Sequence, residues 1–410
     1  MKKSEIKKYA ELIVSHGVNI QKNQPLVILS PVSAAELTEE LAKAAYKRGA
    51  ADVEVIWSDE IISRLGFKNK SVKELSYVPA WQVEQREEFI RRNIAYLGIL
   101  SDDPDAFKGL SVKKLSASRR ARGKAFEKFR SYTSSNKIRW CLFGYPSKKW
   151  AKKMFPSLTP KQALEKQWEY IAKTMRLDED DPIKAWEIHQ KKLADRCKFL
   201  NDAKIKYFRY KNSIGTDFTI GMPKGYRFCG GAEIGALDGV PFTANMPTEE
   251  VFSSPDRSTA NGTLVSAMPL CRNGQIIKDF YLKFDKGRIV DFGAKEGYDN
   301  LKSIIDTDEG SHYLGEIAII GYNSPIRQLD TLFYETLYDE NASCHFAIGD
   351  CYPACLDGGE NMSEEELKEH GLNSSIEHVD FMVGTSDLSI VAECEDGREI
   401  IIFKDGDWSI

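Results

Sequence analysis

The sequence predicts an α/β N-terminal domain with parallel strands over residues 1–200 and a strand-rich α+β C-terminal domain over residues 201–410. Three observations support this fold class. A chain of 410 residues exceeds what one hydrophobic core usually organises. In the first half, short apolar runs alternate with helix-like spacing, which is the pattern of βαβ units. From about Ala203 the pattern changes to short alternating runs broken by glycines, which favours strands and turns.

The elements of the first half follow from hydrophobic periodicity. Leu26–Leu29 and Val53–Trp57 are apolar or β-branched runs, and residues 34–48 between them have helical spacing that ends at Gly49. This is a βαβ unit, so its strands should be parallel. The pattern continues with helices over 80–92 and 112–132, strands over 94–100 and 138–143, and helices over 160–175 and 181–200.

The second half contains short strand-like runs and no repeat of fixed period. The domain boundary is therefore placed only on the change of pattern near residue 200. The clearest of these runs are residues 207–210, 217–220, 262–268, 276–284 and 400–403.

Composition and charge exclude several classes of protein. With 42% apolar and 29% charged residues, the chain is neither disordered nor fibrous. A net charge of −4 provides no global attraction to nucleic acid or to an anionic membrane. The first residues, Met1-Lys-Lys-Ser-Glu5, lack the apolar core of a secretory signal, and no apolar run approaches the ~20 residues of a membrane span. We expect a cytoplasmic protein with reduced thiols and no membrane partner.

The turn after the first strand carries no nucleotide-binding signature. The residues there are Ser30-Pro-Val-Ser-Ala-Ala35, where a dinucleotide fold would need glycines close to the pyrophosphate. The first half is therefore interpreted as a scaffold rather than a cofactor site.

Residues 108–153 carry the strongest local charge bias, with fifteen Lys or Arg residues and one acid, Glu127. One interpretation is a nucleic-acid-binding protein that uses this segment as a phosphate footprint, with any metal site merely structural. The other is a solvated face that complements acidic surface. We favour the solvated face, because no nucleic-acid fold signature accompanies the charge, and expect no nucleic acid as partner.

A candidate metal site lies in the second half. In the strand-like segment Glu377-His-Val-Asp-Phe-Met-Val383, a period of two places His378 and Asp380 on one face and apolar residues on the other. His345 lies in a second strand-like run. Glu316 lies in an apolar run with no Lys or Arg within six residues on either side. Because a buried carboxylate needs a compensating charge, a metal ion is an economical partner.

The same reasoning applies to Glu249 and Glu250, which should point to opposite sides of an extended segment, one to the core and one to solvent. Three carboxylates and two imidazoles would suit two divalent ions such as zinc, cobalt or manganese. Two such ions can activate water and polarise a carbonyl, so the predicted reaction is metal-assisted hydrolysis. Spacing alone does not establish the set, because many acids share this part of the chain.

Several motifs, in order, resemble the thermophilic-type metallo-aminopeptidases, the aminopeptidase T and aminopeptidase S group. They are Asn245-Met-Pro-Thr-Glu-Glu-Val-Phe252, Leu314-Gly-Glu316, Asp339-Glu-Asn-Ala-Ser-Cys-His-Phe-Ala-Ile-Gly349, Tyr352-Pro353 and His378-Val-Asp-Phe-Met-Val-Gly384. Similarity also reaches the first half through Trp140–Phe143, Tyr145-Pro146 and Trp150-Ala151, so it covers nearly the whole chain.

The resemblance implies a C-terminal catalytic domain and residue roles that spacing does not give. Glu250 and Asp380 would bind one metal ion, His345 and His378 the other, and Glu316 would bridge them. Tyr352 would donate a hydrogen bond to the developing oxyanion, the other interpretation being an ordinary core tyrosine. The general base stays open between Glu249 and Glu340.

The resemblance also implies broad removal of N-terminal residues from peptides with a free N-terminus, by homodimers that enclose the catalytic cavity. Two alternatives concern the same region of the chain. Cys344, Cys351 and Cys355 would form a structural zinc site, although no Cys-x-x-Cys pair supports it. A metal-dependent amidase or esterase acting on non-peptide substrates would use the same five ligands.

Overall fold

The computed structural model describes residues 2–272 and 275–410. The chain forms two compact units, each continuous in space but not in sequence. The first comprises Met1–Glu187 and Ala232–Pro247, and the second comprises Ile188–Gly231 and Thr248–Ile410. The change of pattern near residue 200 gave no sign that residues 232–247 return to the first unit, because that segment contains only short strands.

The helices and strands are numbered in chain order. The α-helices are α1 Lys3–Leu12, α2 Ala35–Lys47, α3 Glu60–Asn69, α4 Val72–Leu75, α5 Ala80–Arg91, α6 Val112–Ala125, α7 Glu127–Ser134, α8 Lys148–Met154, α9 Pro160–Thr174, α10 Pro182–Asp202, α11 Tyr298–Ile305, α12 Thr336–Asp339 and α13 Glu364–Glu369. The strands are β1 Pro25–Pro31, β2 Asp52–Ser58, β3 Ala95–Leu100, β4 Trp140–Gly144, β5 Ile205–Lys211, β6 Asp217–Gly221, β7 Glu233–Ile234, β8 Pro241–Phe242, β9 Asn245–Met246, β10 Val251–Ser253, β11 Asn261–Val265, β12 Leu270–Arg272, β13 Gln275–Asp285, β14 Arg288–Glu296, β15 Leu314–Ile319, β16 His345–Gly349, β17 His378–Met382, β18 Ser389–Cys394, β19 Glu399–Lys404 and β20 Asp407–Trp408.

The first unit contains a five-stranded sheet in the order β2-β1-β3-β4-β9. Each neighbouring pair in it is parallel, which confirms the predicted parallel α/β class. Leu26, Val27 and Ile28 in β1, an interior strand of the sheet, are buried, as is typical of a parallel strand that is covered on both faces. Because the strands are parallel, the loops that follow them lie at the same edge of the sheet.

The single helix predicted over residues 112–132 is wrong, because the chain breaks into α6 and α7 at Phe126. Phe126 has φ −108° and ψ 16°, which is outside the helical region. The guanidinium of Arg130 donates a hydrogen bond to the carbonyl of Gly123, one of the carbonyls left open in the last turn of α6. The apolar periodicity spans the break, so the pattern alone did not reveal it.

The second unit contains two antiparallel sheets. The larger one runs β12-β13-β11-β6-β5-β18-β19-β20, with β14 paired to β13, and the smaller one runs β10-β15-β16-β17. Phe346 in β16 packs edge-on against Tyr210 and Phe218 at centroid distances of 5.1 and 5.3 Å, so the smaller sheet is part of the main core. The strand-rich α+β class predicted for this half is confirmed.

Among residues 2–272 and 275–410, no helix combines the length and the apolar character needed to cross a bilayer.

Candidate metal centre

Glu316 is fixed by strand β15, in which every residue from Leu314 to Ile319 is buried. The register of β15 against β16 shifts between Leu314 and Glu316, which is a β-bulge at Gly315. A Cβ atom at Gly315 would lie 2.0 Å from the carbonyl oxygen of Asp350, so only glycine permits this close approach. The bulge therefore sets the direction in which the Glu316 carboxylate points.

Strand β17 presents two of the predicted ligands on one face. His378 and Asp380 are half-buried, whereas Val379 and Phe381 between and beyond them are buried in the core. This is the alternation that the period of two predicted.

Glu250 lies directly before β10, which pairs with β15 through Val251 and Ile319. The predicted division of the two glutamates between core and solvent is wrong. The side chains of Glu249 and Glu250 are 6% and 13% exposed, so both are withdrawn from solvent. Glu249 faces His189, with 3.5 Å between its carboxylate oxygen and Nε2 of the ring. Glu250 faces His345 instead.

Five predicted ligands converge in two overlapping groups. One group contains Glu250, Glu316 and His345, and the other contains Glu316, His378 and Asp380, with the ligand atoms of each group within 4.8 Å of one another. Nε2 of His345 lies 3.5 Å from Glu250, and Nε2 of His378 lies 3.0 Å from Glu316 and 3.2 Å from Asp380. Glu316 is common to both groups. The two imidazoles, which the resemblance assigned to one ion, lie in different groups.

Both histidine rings are oriented by their other nitrogen. Nδ1 of His345 lies 3.1 Å from the carbonyl oxygen of Ser343, and Nδ1 of His378 lies 2.9 Å from that of Asp350. A carbonyl only accepts, so each Nδ1 carries a hydrogen and each Nε2 is directed to the carboxylates. In metal-binding histidines, a hydrogen bond from one ring nitrogen to a backbone carbonyl commonly fixes the ring so that the other nitrogen faces the metal ion.

The carboxylates and imidazoles shift one another's proton affinity. Burial alone would lower the pKa of His378, but hydrogen bonds with Asp380 and Glu316 raise it to about 12. Burial lowers the pKa of His345, because it disfavours the charged imidazolium. The negative charges of Glu250 and Glu316 act in the opposite direction and prevail, so the pKa of His345 is also raised. Burial raises the pKa of Asp380, but its interactions with the imidazoles of His378 and His345 together outweigh burial and lower the pKa.

Glu340 is a further carboxylate of the cluster, and the sequence had named it only as a candidate base. Burial, followed by the charges of Asp380 and Glu250, raises the pKa of Glu340 well above its usual value. Burial likewise raises the pKa of Glu250. Four carboxylates are therefore crowded together, and within the described residues none of them has a Lys or Arg as ion-pair partner.

Asn341 is a residue that sequence reasoning missed. Its fully buried amide oxygen accepts a hydrogen bond from the backbone N–H of Glu249 at 2.7 Å, and its amide nitrogen donates to the carbonyl of Leu337. Asn341 thus ties the segment that carries Glu250 to the turn that carries Glu340. The sequence contained one sign of this role, because Asn341 lies between Glu340 and His345 in a single motif.

Tyr352 follows β16 and lies at the edge of the cluster. Its hydroxyl lies 3.4 Å from Nε2 of His378, while its ring packs edge-on against Phe252. The side chain is 42% exposed, which does not fit the alternative of an ordinary core tyrosine. Burial of the hydroxyl end and the charge of Glu316 raise the pKa of Tyr352 well above its usual value, so the phenol keeps its proton at neutral pH.

The donor set fits divalent cations. Carboxylate oxygens and imidazole nitrogens are the ligands of zinc, cobalt and manganese, and the surplus of negative charge is concentrated at one point. In the protein without cations, the negative carboxylates repel one another, and this repulsion is reduced because the raised pKa values of Glu250 and Glu340 favour their protonated forms. Glu316 is the carboxylate common to both groups, so it could serve as a ligand in each of them.

The alternative of a thiolate zinc site does not fit this structure. The groups of possible metal ligands found among the described residues contain no cysteine. The Cys344 thiol donates to the carbonyl of Ile320, while Cys351 packs with Leu356 and Leu367. Burial raises the pKa of Cys344 and of Cys351 to about 12, which keeps both thiols neutral.

Much of the basic charge in residues 108–153 is engaged within the first unit. Lys128 pairs with Glu87, and Lys153 pairs with Asp105. Arg139 is 2% exposed and binds Asp238 at 3.0 Å. These contacts favour the interpretation of the segment as structural.

The whole chain is similar to known metallopeptidases. The model of the thermophilic metalloprotease (M29) family matches residues 2–408. Aminopeptidase AmpS of Bacillus subtilis (strain 168) is 40% identical over 401 residues, covering 98% of this chain and 97% of the relative. Aminopeptidase T of Thermus aquaticus is 32% identical over 405 residues, covering 99% and 98%. The solved structure of wild-type AmpT from Thermus thermophilus superposes with a TM-score of 0.93 at 30% identity and covers 100% of both chains.

The family match and the full-length relatives define a metal-dependent hydrolase. The chain belongs to the thermophilic metalloprotease (M29) family, and as a member of this metallo-aminopeptidase family the protein is a hydrolase. The resemblance seen in the sequence motifs is confirmed.

Proposed function

We propose that the protein is an aminopeptidase that removes N-terminal residues from peptides with broad specificity, using a two-metal centre and an activated water. The observation that carries the proposal is the convergence of Glu250, Glu316, His345, His378 and Asp380, with Glu316 shared by both groups. Zinc, cobalt or manganese would bind there, Glu250 and His345 on one side of Glu316, His378 and Asp380 on the other.

When bound, two divalent ions supply Lewis acidity for the peptide carbonyl and lower the pKa of water. The protein's own residues would do the rest. The Tyr352 hydroxyl, which retains its proton, donates a hydrogen bond to the oxygen on which negative charge develops.

Of the two candidates for the general base, Glu340 is favoured. Its carboxyl interacts with Asp380, Glu250 and Glu316, whereas Glu249 is directed to His189. Burial and the neighbouring carboxylates raise the pKa of Glu340, which makes its carboxylate a stronger base than a solvent-exposed one.

The relatives that cover nearly the whole chain are aminopeptidases, enzymes that act on peptides at the free amino end. Peptides with a free N-terminus are therefore the proposed substrates. By the family resemblance we also propose a homodimer and a cytoplasmic location.

The rival function is hydrolysis of non-peptide amides or esters at the same centre. We compare hydrolysis of leucine p-nitroanilide, N-acetyl-leucine p-nitroanilide and an ester without an amino group. The proposal expects turnover of the first and at least about a hundredfold loss on acetylation, because the free amino group that an aminopeptidase recognises is removed. Equal rates on the acetylated substrate or on the ester would contradict it.

A further inference from the structure

Ser254, directly after strand β10, is a fully buried polar residue that contacts the segment carrying Tyr352. Its hydroxyl accepts a hydrogen bond from the backbone N–H of Tyr352 at 3.0 Å and donates one to the backbone carbonyl of the same residue at 3.4 Å. One side chain therefore binds both polar backbone groups of the tyrosine. The Tyr352 carbonyl accepts a second hydrogen bond, from the backbone N–H of Cys355 at 2.9 Å, which closes the turn that follows.

The backbone at Tyr352 has no strand or helix of its own to hold it. Tyr352 lies between the end of β16 at Gly349 and a single 3-10 turn over Pro353–Cys355. Its φ of −103° and ψ of 112° are extended, as expected for a residue that precedes a proline. A backbone N–H outside a ladder needs another acceptor, and the Ser254 hydroxyl supplies it.

The ring of Tyr352 is held by a neighbour of Ser254. Phe252 and Ser254 are two residues apart, so an extended chain points both side chains to one face. The Phe252 ring packs edge-on against the Tyr352 ring at a centroid distance of 5.5 Å, and the His378 imidazole does so at 5.0 Å. Because Tyr352 is 42% exposed, these ring contacts and the Ser254 hydrogen bonds define the direction of its phenol.

Strand β10 connects this contact to the metal centre. Glu250, a proposed metal ligand, directly precedes the strand, and Ser254 directly follows it. The strand pairs with β15, which carries Glu316. A short paired strand therefore sets the spacing between the metal ligands and the backbone of Tyr352. Such spacing matters, because a misplacement of about 1 Å in a group that acts on the transition state can cost about a hundredfold in rate.

We infer that Ser254 is a positioning residue for hydrolysis, which holds the backbone of Tyr352 so that the phenol points at the metal centre. Ser254 acts through Tyr352, and its own hydroxyl is occupied by the tyrosine backbone. This role rests on the proposed function, and within it on the hydrogen bond from Tyr352 to the developing oxyanion. A merely structural serine would instead affect stability without acting through the phenol.

The kinetic test compares kcat and KM for leucine p-nitroanilide in four full-length proteins: the wild type, Ser254→Ala, Tyr352→Phe and the double variant. Ser254→Ala should lower kcat about tenfold or more and change KM less than about threefold, because the phenol acts in the transition state. In the Tyr352→Phe background the same substitution should lower kcat less than about twofold, since the hydroxyl that Ser254 positions is already gone. Equal losses of kcat in both backgrounds would overturn the inference.

Ser253→Ala is the matched control. Ser253 is also fully buried, and its hydroxyl donates a hydrogen bond to the carbonyl of Arg227 at 2.8 Å, so this variant loses a comparable contact. As the adjacent residue it points to the opposite face of β10 from Ser254. Its kcat should stay within about twofold of the wild type. A loss as large as that in Ser254→Ala would overturn the inference, because any buried hydroxyl of this strand would then have the same effect.

Amide hydrogen exchange tests the contact without catalysis. Exchange of the Tyr352 backbone N–H should become about fivefold faster or more in Ser254→Ala, because its acceptor is removed. Ser253→Ala should leave the exchange of this N–H unchanged. Unchanged exchange in Ser254→Ala would overturn the inference, since the backbone of Tyr352 would then be held by other contacts.

Failure of the proposed function would give a different pattern. If Tyr352→Phe is as active as the wild type, the oxyanion role of Tyr352 is wrong, and the positioning role of Ser254 is wrong with it. If Tyr352→Phe is impaired and Ser254→Ala keeps the kcat of the wild type, the proposed function stands and only the role of Ser254 is wrong.

Discussion

At the scale of single residues, the account depends on where Glu316 lies. Its carboxylate is 4% exposed and belongs to both ligand groups, and its ion-pair partner is His378, 3.0 Å away. No other side chain of the cluster is shared in this way. The chemistry of the centre should therefore be most sensitive to this position.

Glu316→Gln should abolish hydrolysis while the fold survives. The amide keeps the shape of the side chain but removes the anion that both metal sites share, so metal affinity should fall at least about tenfold. Anilide hydrolysis, metal content and circular dichroism measure the three outcomes. Glu395→Gln, at an exposed position, is the matched control and should behave as the wild type. Full activity in Glu316→Gln would refute the assignment.

Tyr352→Phe should mainly lower kcat. Loss of one hydrogen bond to a developing oxyanion typically costs about 10²–10³-fold in rate. Metal content should stay the same, since the phenol is placed on the transition state rather than on the ions. A large loss of metal from this variant would indicate a structural role for Tyr352 instead.

Metal binding should release protons. The raised pKa of His378, about 12, means that the metal-free protein holds a proton there at neutral pH, and the raised pKa values of Glu340 and Glu250 favour further protons. Cations displace these protons, so apparent affinity should increase as pH rises. Calorimetric titration in two buffers of different ionisation enthalpy should show release of about one proton or more per chain. Identical heats in both buffers would contradict this.

Five candidate metal ligands were named from the sequence. Alternation in β17 placed His378 and Asp380 on one face, and an apolar run without a nearby cation singled out Glu316. The family resemblance then selected Glu250 over Glu249 and assigned the set to metal ions. Glu340 was named only as one of two candidate bases and Asn341 was not named at all, because their positions depend on contacts between distant segments. Such contacts have no signature within a local window.

At the scale of elements, strand β15 directs the centre through its bulge. Gly315 has no pairing partner in β16, because Leu314 pairs with Ile348 and Glu316 with the next residue, Ala347. A Cβ atom at Gly315 would lie 2.0 Å from the carbonyl oxygen of Asp350 and 2.3 Å from that of Gly349. The bulge was not predicted from sequence, since an apolar run around one glycine reads as a regular strand. The break between α6 and α7 was also missed, because the apolar periodicity continues across Phe126.

Gly315→Ala should impair the centre without removing any ligand. Backbone atoms must move to admit the methyl group, which costs on the order of 1–3 kcal/mol or more, and Glu316 moves with them. We expect a lower free energy of unfolding and weaker metal binding. Gly66→Ala in α3, where a Cβ meets nothing within 4 Å, is the control and should be neutral or slightly stabilising. Equal metal affinity in Gly315→Ala and wild type would contradict the role given to the bulge.

At the scale of the whole molecule, the sequence identified the two architectures but not the full path of the chain. Periodicity distinguished the parallel α/β half from the strand-rich half because buried parallel strands and half-exposed antiparallel strands differ in pattern. Periodicity did not place residues 232–247 in the first unit, because strands of two residues are too short to show an alternation of apolar and polar side chains.

Metal should also stabilise the folded protein as a whole. Ions that bind only the folded state add about 2.7 kcal/mol at a hundred times their Kd, which corresponds to a rise in Tm of roughly 3 °C if the 410 residues unfold together. Chelation should remove this increment from the wild type and have little effect on Glu316→Gln. Differential scanning calorimetry of both proteins, with and without chelator, measures it. An equal shift in both would contradict binding at Glu316.

The central claim is that one chain holds two catalytic divalent ions around Glu316. The most direct measurement is metal content per chain during stepwise reconstitution of the chelated protein, with leucine anilide hydrolysis recorded at each step. The account predicts two tightly bound ions, complete loss of hydrolysis on chelation, and recovery as zinc, cobalt or manganese is restored. Hydrolysis that persists in the metal-free protein, or binding that ends at fewer than two ions when activity is full, would contradict it.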